Sequence, residues 1–259
     1  MLLPPFLFPP FLCVSRSYDG HGGDEISEML TATLHPHVSS ALAAAEAAGG
    51  GGSDLSAPLI AAFEKCDAEA SQWAFEHQVF AGSTANALLL RGDHLYCANA
   101  GDCRAVLCRS GKAHDLSRGH NATGTEAARI IAAGGTIRSR RVNGILAVSR
   151  AFGDIELKKV WRGSSQSTVP VGSRENDIVI ATPEVQVETV GEGDLFVVVA
   201  CDGLWDIMSS QQAVDYTLRF LLRTKDVHKT ATMLAEKAVD AGSVDNVTVV
   251  VALLRQWEA

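Results

Sequence analysis

Three aspartates stand where a buried strand would end: Asp19 in "YDGHGG", Asp202 after "LFVVVAC", and Asp245 just before "NVTVVVALL". An acid at such a point is held rigidly, with its carboxylate at the rim of a sheet where water and ions enter. Adjacent glycines let a ligand approach the backbone and free a carbonyl to bind it. Hard divalent ions such as Mg2+ and Mn2+ want these oxygen donors and keep several waters. Two of them about 3.5–4 Å apart generate a hydroxide and clamp a phosphoryl group for in-line displacement. The three carboxylates and the Gly20 carbonyl could anchor such a pair, and His21 could protonate a leaving alkoxide. A single Asp-Gly is commonly a turn, so the weight rests on the three together. No GxSxG, HExxH, P-loop or dinucleotide fingerprint is present.

The elements that must hold these residues alternate long helical patterns with short apolar strands. Ile26, Leu30 and Leu34 have helical spacing, with a kink expected at Pro36; His35 and His37 read as helix-end surface. Residues 49–52 are four glycines, a flexible surface loop. Leu59, Phe63, Cys66, Ala70 and Trp73 form the stripe of a core-facing helix, with Ser56 as its N-cap and Pro58 in the first turn. Strands are predicted at 85–92, 94–101 and 104–111, joined by Gly-Asp hairpin turns, and at 144–149, 177–181, 194–202 and 246–254. The helix "TEAARIIAAGG" ends at a glycine C-cap, and two more helices are expected near 210–222 and 228–241, the first with a Ser209…Gln212 capping box. Long helices bracketing hairpin-like strands imply two antiparallel sheets with helices outside.

A chain of 259 residues suits one large domain. Twenty-two basic against 30 acidic residues give a net charge of −8, which argues against nucleic-acid and anionic-membrane partners. Six cysteines without a CxxC pair argue against a zinc ribbon, and a disulfide scaffold is not expected in a domain this long; buried small hydrophobes in a reducing compartment, cytoplasmic and/or nuclear, are expected instead. The opening "MLLPPFLFPPFL" is apolar, but two Pro-Pro pairs break any helical core, no basic residue precedes Arg16, and the run is too short to span a bilayer. A disordered start is expected there.

Taken in order, "YDGHGG", "GSTA", "ANAGDCRAVL", "AAGG", "RVNGILAVSRAFGD", "PEV", "ACDGLWD" and "SVDNVTVVV" resemble the protein phosphatase 2C family, the metal-dependent Ser/Thr phosphatases, over about residues 18–254. The resemblance implies an α+β fold, an α-β-β-α sandwich of two antiparallel sheets flanked by helices, with a catalytic domain at 18–259. It also implies two Mg2+ or Mn2+ ions per chain and a bridging hydroxide that attacks phosphoserine or phosphothreonine in a phosphoprotein substrate, without a covalent phosphoenzyme. By the same resemblance Asp19 bridges both metals, Gly20 lends its carbonyl to one, Asp202 and Asp245 bind the other, and His21 is the general acid. Residues 155–182 correspond to a variable flap beside the site, and a monomer is expected. Gly82, Ser83 and Thr84 read as a strand start, Asn99, Gly101, Asp102 and Arg104 as hairpin and buried polar scaffold, and Trp205 as a core anchor.

The chain also departs from that family. No Asp or Glu precedes Asp19, and its one early arginine is Arg16, so the family's phosphate-gripping Arg and upstream acidic pair have no match; the first strands of one sheet are missing. Gly119 in "LSRGHN" stands where the family has an Asp tied to a third metal, which predicts that no third ion binds. These departures predict an N-terminally truncated domain with an atypical segment at 1–17. They also leave an alternative function, a catalytically impaired phosphatase-like binding protein.

Overall fold

Alternation with a period of two decides the layering. In strands β4 (Ala85–Arg91) and β5 (His94–Ala100), Ala85, Ala87, Leu89, Tyr96, Ala98 and Ala100 point to one side, while Leu88, Leu95 and Cys97 point to the other. Strands β6 (Arg104–Arg109) and β12 (Asp194–Ala200) do the same: Ala105, Leu107, Val197 and Val199 face β4 and β5, while Val106, Cys108, Phe196 and Val198 face away. Sheets whose faces are both apolar must be covered on both sides. The structure, a computed structural model describing residues 12–48, 54–158 and 177–255, shows how.

One antiparallel sheet has the order β1–β4–β5–β11, with β1 at Leu12–Ser17 and β11 at Glu184–Thr189. The other has the order β13–β12–β6–β7, with β7 at Lys112–Asp115 and β13 at Val249–Leu253. Helices α1 (Glu25–Ala47) and α2 (Ser56–His77) cover the first sheet. Helix α3 (Gly124–Ala132) belongs to a side lobe with the paired short strands β8 (Ile137–Arg138) and β9 (Arg141–Val142), α4 (Asp202–Trp205) is a single turn, and α5 (Ser210–Thr224) and α6 (Val227–Asp240) cover the second sheet. A small ribbon, β2 (Gly20–His21), β3 (Gly82–Ser83) and β10 (Phe152–Gly153), crosses one end with β3 in the middle. This is the α+β sandwich expected from the sequence. Among the described residues no helix is long and apolar enough to cross a membrane.

Buried Asn86 and Asn99 sit directly opposite one another on β4 and β5. Their side chains bond at 3.0 Å, and Asn99 also donates to the Gly101 and Arg118 carbonyls, each at 3.0 Å.

Several expectations need correction. Helix α1 runs on through Pro36, so His35 and His37 lie in mid-helix and not at a helix end: its buried stripe of Ile26, Leu30, Leu34, Val38 and Leu42 outweighs the roughly 3 kcal/mol that an interior proline costs, since each such side chain contributes about 1.5–3 kcal/mol. Ser56 is the first residue of α2, not its cap; Asp54 Oδ1 accepts from the Ser56 amide at 3.0 Å. Residues 144–149 and 177–181 form isolated bridges, not strands. Arginines take up carbonyls that a ladder would have paired: Arg129 donates to the Ser149, Asp177 and Ile178 carbonyls, and Arg150 to that of Thr182. Both guanidiniums are held by Glu126, so this lobe is tied by side chains. The Ser209 capping box forms as expected, with both reciprocal bonds present.

Residues 12–17, set apart by the sequence reading as part of an atypical start, form edge strand β1 on β4. Residues 1–11, the glycine run at 49–52 and residues 159–176 of the flap region lie outside the described residues.

Candidate active site

The small ribbon brings the DGHGG turn to the sandwich rim. The Thr84 amide donates to the Asp19 carbonyl at 2.9 Å, fixing the acid's backbone, and β2 pairs with β3 so that His21 lies opposite Gly82. From the other side Asp202 follows β12 at the start of α4. Trp205 anchors that turn, its indole N–H donating to the Ala200 carbonyl at 2.9 Å, which makes it the core residue expected. The segment carrying Asp245 is stitched on by bonds from Ser243 Oγ to the Gly203 carbonyl (2.7 Å), Cys201 Sγ to the Asn246 carbonyl (3.1 Å) and the Thr248 amide to Cys201 Sγ (3.2 Å). The Asn246 carbonyl occupies the space a Cβ at Gly203 would need. That glycine serves close packing of the α4 turn against the segment before β13, where the sequence suggests ligand access. At Gly20 the close neighbour is Ser27 of α1, 2.8 Å from where a Cβ would stand.

The result is a crowd of like charges. The ligand atoms of Asp19, Cys201 and Asp202 lie within 4.8 Å of one another. Asp19 is pushed up to about 7 by burial first, then by the charge and hydrogen bond of Asp202, with Asp102 and Asp245 adding to it. Asp102 is pushed up to about 6 by burial and then by Asp202. Burial also raises Asp202, together with the Asp245 and Asp206 charges, and its Oδ1 is buried with no hydrogen-bond partner among the described residues. An orphaned carboxylate oxygen amid acids that resist ionisation fits a hard dication, which would offset both penalties. The Cys201 thiol is not part of that donor set: it is bonded on both sides, and burial raises its pKa.

Because the Asp19 and Asp102 values are raised above 3.8, the metal-free fold binds more protons than the unfolded chain between about pH 4 and 7 and loses stability as pH rises through that window. Buried His120, lowered to about 4, and Glu126, held at about 2 against burial by Arg150 and Arg129, act in the opposite sense, but equally with and without metal. The gain in melting temperature on adding Mn2+ is therefore expected to be larger at about pH 7.5 than at about pH 5, by several degrees for about 1–2 kcal/mol. Thermal melts with and without the ion check this; a gain independent of pH would remove the acid cluster from the metal site.

Asp19, Gly20 and His21 thus share one rim with Asp202 and Asp245. Asp102, assigned from the sequence to a hairpin, belongs with them. The chain at Gly101-Asp102-Cys103 crosses from one sheet to the other instead of turning back, which delivers Asp102 to the acid cluster. Its signal was the same as for the other acids, a carboxylate directly after an apolar strand. Asp154 was also missed; its Oδ2 lies 2.8 Å from His21 Nε2, and the two are 133 residues apart in sequence. Burial disfavours charging His21, but the Asp154 carboxylate outweighs it and raises the pKa above the ordinary value.

Comparison with known proteins agrees with this architecture. A profile described as Protein phosphatase 2C matches residues 13–247, and the chain belongs to that family. It is 38% identical over 242 residues to "Protein phosphatase 2C homolog 2" of Hypocrea jecorina, covering 90% of this chain and 52% of the relative. It is 44% identical over 171 residues to "Probable protein phosphatase 2C 2" of Oryza sativa subsp. japonica, covering 66% and 42%. The chain thus spans about half the length of the curated relatives it matches. Among solved structures, "Structure of a C.elegans sex determining protein" superposes with a TM-score of 0.78 at 25% identity, covering 93% of this chain and 56% of that one. A phosphatase from Toxoplasma gondii gives 0.75 at 23%, covering 95% and 89%.

Proposed function

We propose that this chain hydrolyses phosphoserine and phosphothreonine in proteins with two Mg2+ or Mn2+ ions. The observation that carries the reading is the convergence of Asp19, Asp202 and Asp245, from three distant segments, into one acid cluster beside His21. Asp19 would be shared by both ions, the Gly20 carbonyl would serve one, and Asp202 and Asp245 the other. When bound, such ions supply an activated water and neutralise phosphoryl oxygens. His21, close to the acids and part-exposed, donates the proton that the leaving serine or threonine oxygen requires. Gly119 brings no donor, and a Cβ there would meet only ordinary contacts with Asp102 and Asn121, so two ions per chain are expected. Among the described residues, Cys66, Cys97, Cys103, Cys108 and Cys201 are free and buried, in keeping with a reducing compartment, cytoplasmic or nuclear.

Release of phosphate from a phosphothreonine peptide should require Mn2+ or Mg2+ and cease with EDTA. Folded protein without metal-dependent release would defeat the enzyme reading. Peptide binding without release would favour the alternative, a phosphatase-like binding protein, whose motive is the lack of any acid before Asp19.

A further inference from the structure

We propose that Asp154 is a positioning residue that sets the orientation of the His21 ring across Gly82. The inference rests on the phosphatase reading for its kinetic consequence and on geometry for its substance. In the ribbon, β3 lies between β2 and β10, so His21 and Gly153 flank Gly82 on opposite sides. The Asp154 carboxylate reaches back over Gly82 to His21 Nε2 at 2.8 Å. A Cβ at Gly82 would run into both Asp154 Oδ2 and His21 Nε2, so the pair closes over a position that only glycine can fill.

Asp154 is itself held. It is buried, and its backbone is in the left-handed region at φ 47° and ψ 46°, a conformation that Asp tolerates better than most residues. The Asp154 amide donates to the Ala81 carbonyl at 3.1 Å. Before it, the Gly153 amide donates to buried Asp67 of α2 at 3.0 Å; after it, Lys158 Nζ donates to the same Asp67 oxygen at 2.7 Å. The segment that carries the carboxylate is therefore anchored from both sides in sequence.

With Nε2 committed to Asp154, Nδ1 is the nitrogen with no protein hydrogen-bond partner among the described residues. Asp154 fixes the Nε2–H bond and so aims Nδ1 outward. As water oxygen bonds to phosphorus and the bond to the substrate's alkoxide breaks, the proton on Nδ1 passes to that alkoxide. An aryl oxide leaves without such help, which separates this role from general support of the site.

The test uses the full chain with Asp154→Gly, which keeps the left-handed backbone but removes the carboxylate; Asp154→Asn, which keeps an acceptor oxygen; and Gly82→Ala, which keeps both partners but drives a methyl between them. On a phosphothreonine peptide, Asp154→Gly and Gly82→Ala should lower kcat about ten- to hundredfold with KM nearly unchanged, and Asp154→Asn should lie between them and the wild type. On p-nitrophenyl phosphate all three should stay within about threefold of the wild type. The 15N signals of the His21 imidazole, identified by their loss in His21→Gln, should move in Asp154→Gly and Gly82→Ala. Equal losses on both substrates, or unmoved His21 signals in a folded Asp154→Gly variant, would overturn the proposal. If the wild type cleaves neither ester the phosphatase reading falls, and the imidazole signals alone then decide the role of Asp154.

Discussion

Asp202→Asn should abolish metal-dependent phosphate release and, in the same protein, raise the melting temperature of the metal-free form. The two signs follow from one arrangement. Asp202 is half-buried, its Oδ1 has no hydrogen-bond partner among the described residues, and burial with the Asp245 and Asp206 charges raises its pKa against the hydrogen bond it shares with Asp19. Without a cation this is stored repulsion; asparagine has nearly the same shape and no charge, so it relieves about 1–2 kcal/mol, or a few degrees in a domain of this size. On the proposed reading the lost carboxylate is one that would hold a metal ion, and the loss of such electrostatic stabilisation costs at least about a hundredfold in rate. Paired melts with and without Mn2+, beside phosphopeptide turnover, read both effects. A fully active variant would remove Asp202 from the metal site, and one that melts below the wild type in EDTA would refute the stored repulsion.

Lys158→Ala should be among the most destabilising single changes in the chain. Lys158 and Asp67 are 1% and 0% exposed, with Nζ and Oδ1 2.7 Å apart. Burial pulls the ammonium's pKa down to about 8 against the pull of Asp154 and Asp177. Removing the lysine leaves Asp67 a buried anion, supported still by the Ser71 hydroxyl and the Gly153 amide. Breaking such a pair from one side costs about 3–5 kcal/mol, or about 10 °C here. The double variant Asp67→Asn/Lys158→Met removes both charges, keeps an acceptor for the Gly153 amide, and should recover more than half the loss. Differential scanning calorimetry of the three proteins decides; a Lys158→Ala protein that melts with the wild type would mean the pair carries no net stability.

How much of this was legible in the sequence follows from what is local. The strands, helix stripes and strand-end acids are short-range patterns, so the sandwich could be read directly, and Asp19, Gly20, His21, Asp202 and Asp245 could be picked out as candidates. Asp102 carried the same signal but stood in a Gly-Asp pair identical to a hairpin turn, and only the passage of β5 and β6 into different sheets tells them apart. The Asp154–His21 and Lys158–Asp67 contacts span 133 and 91 residues, and no periodicity encodes them. Asp67 lies beside the apolar stripe of α2, where a charged residue ordinarily reads as solvent-facing. Residues 144–149 and 177–181 show the reverse failure: apolar composition was read as strand, whereas arginine side chains, not a partner strand, satisfy several of their carbonyls.

The Asn86–Asn99 pair gives the domain a reading frame. Both faces of β4 and β5 are apolar, so sliding one strand past the other by a single residue would exchange one greasy set for another, and hydrophobicity alone would scarcely notice. The two amides would notice, since each would be left buried without its partner at about 1–3 kcal/mol. Asn99 also grips the Gly101 carbonyl, next to Asp102. A mis-set frame would therefore be penalised by two side chains and would carry that acid out of step with the others.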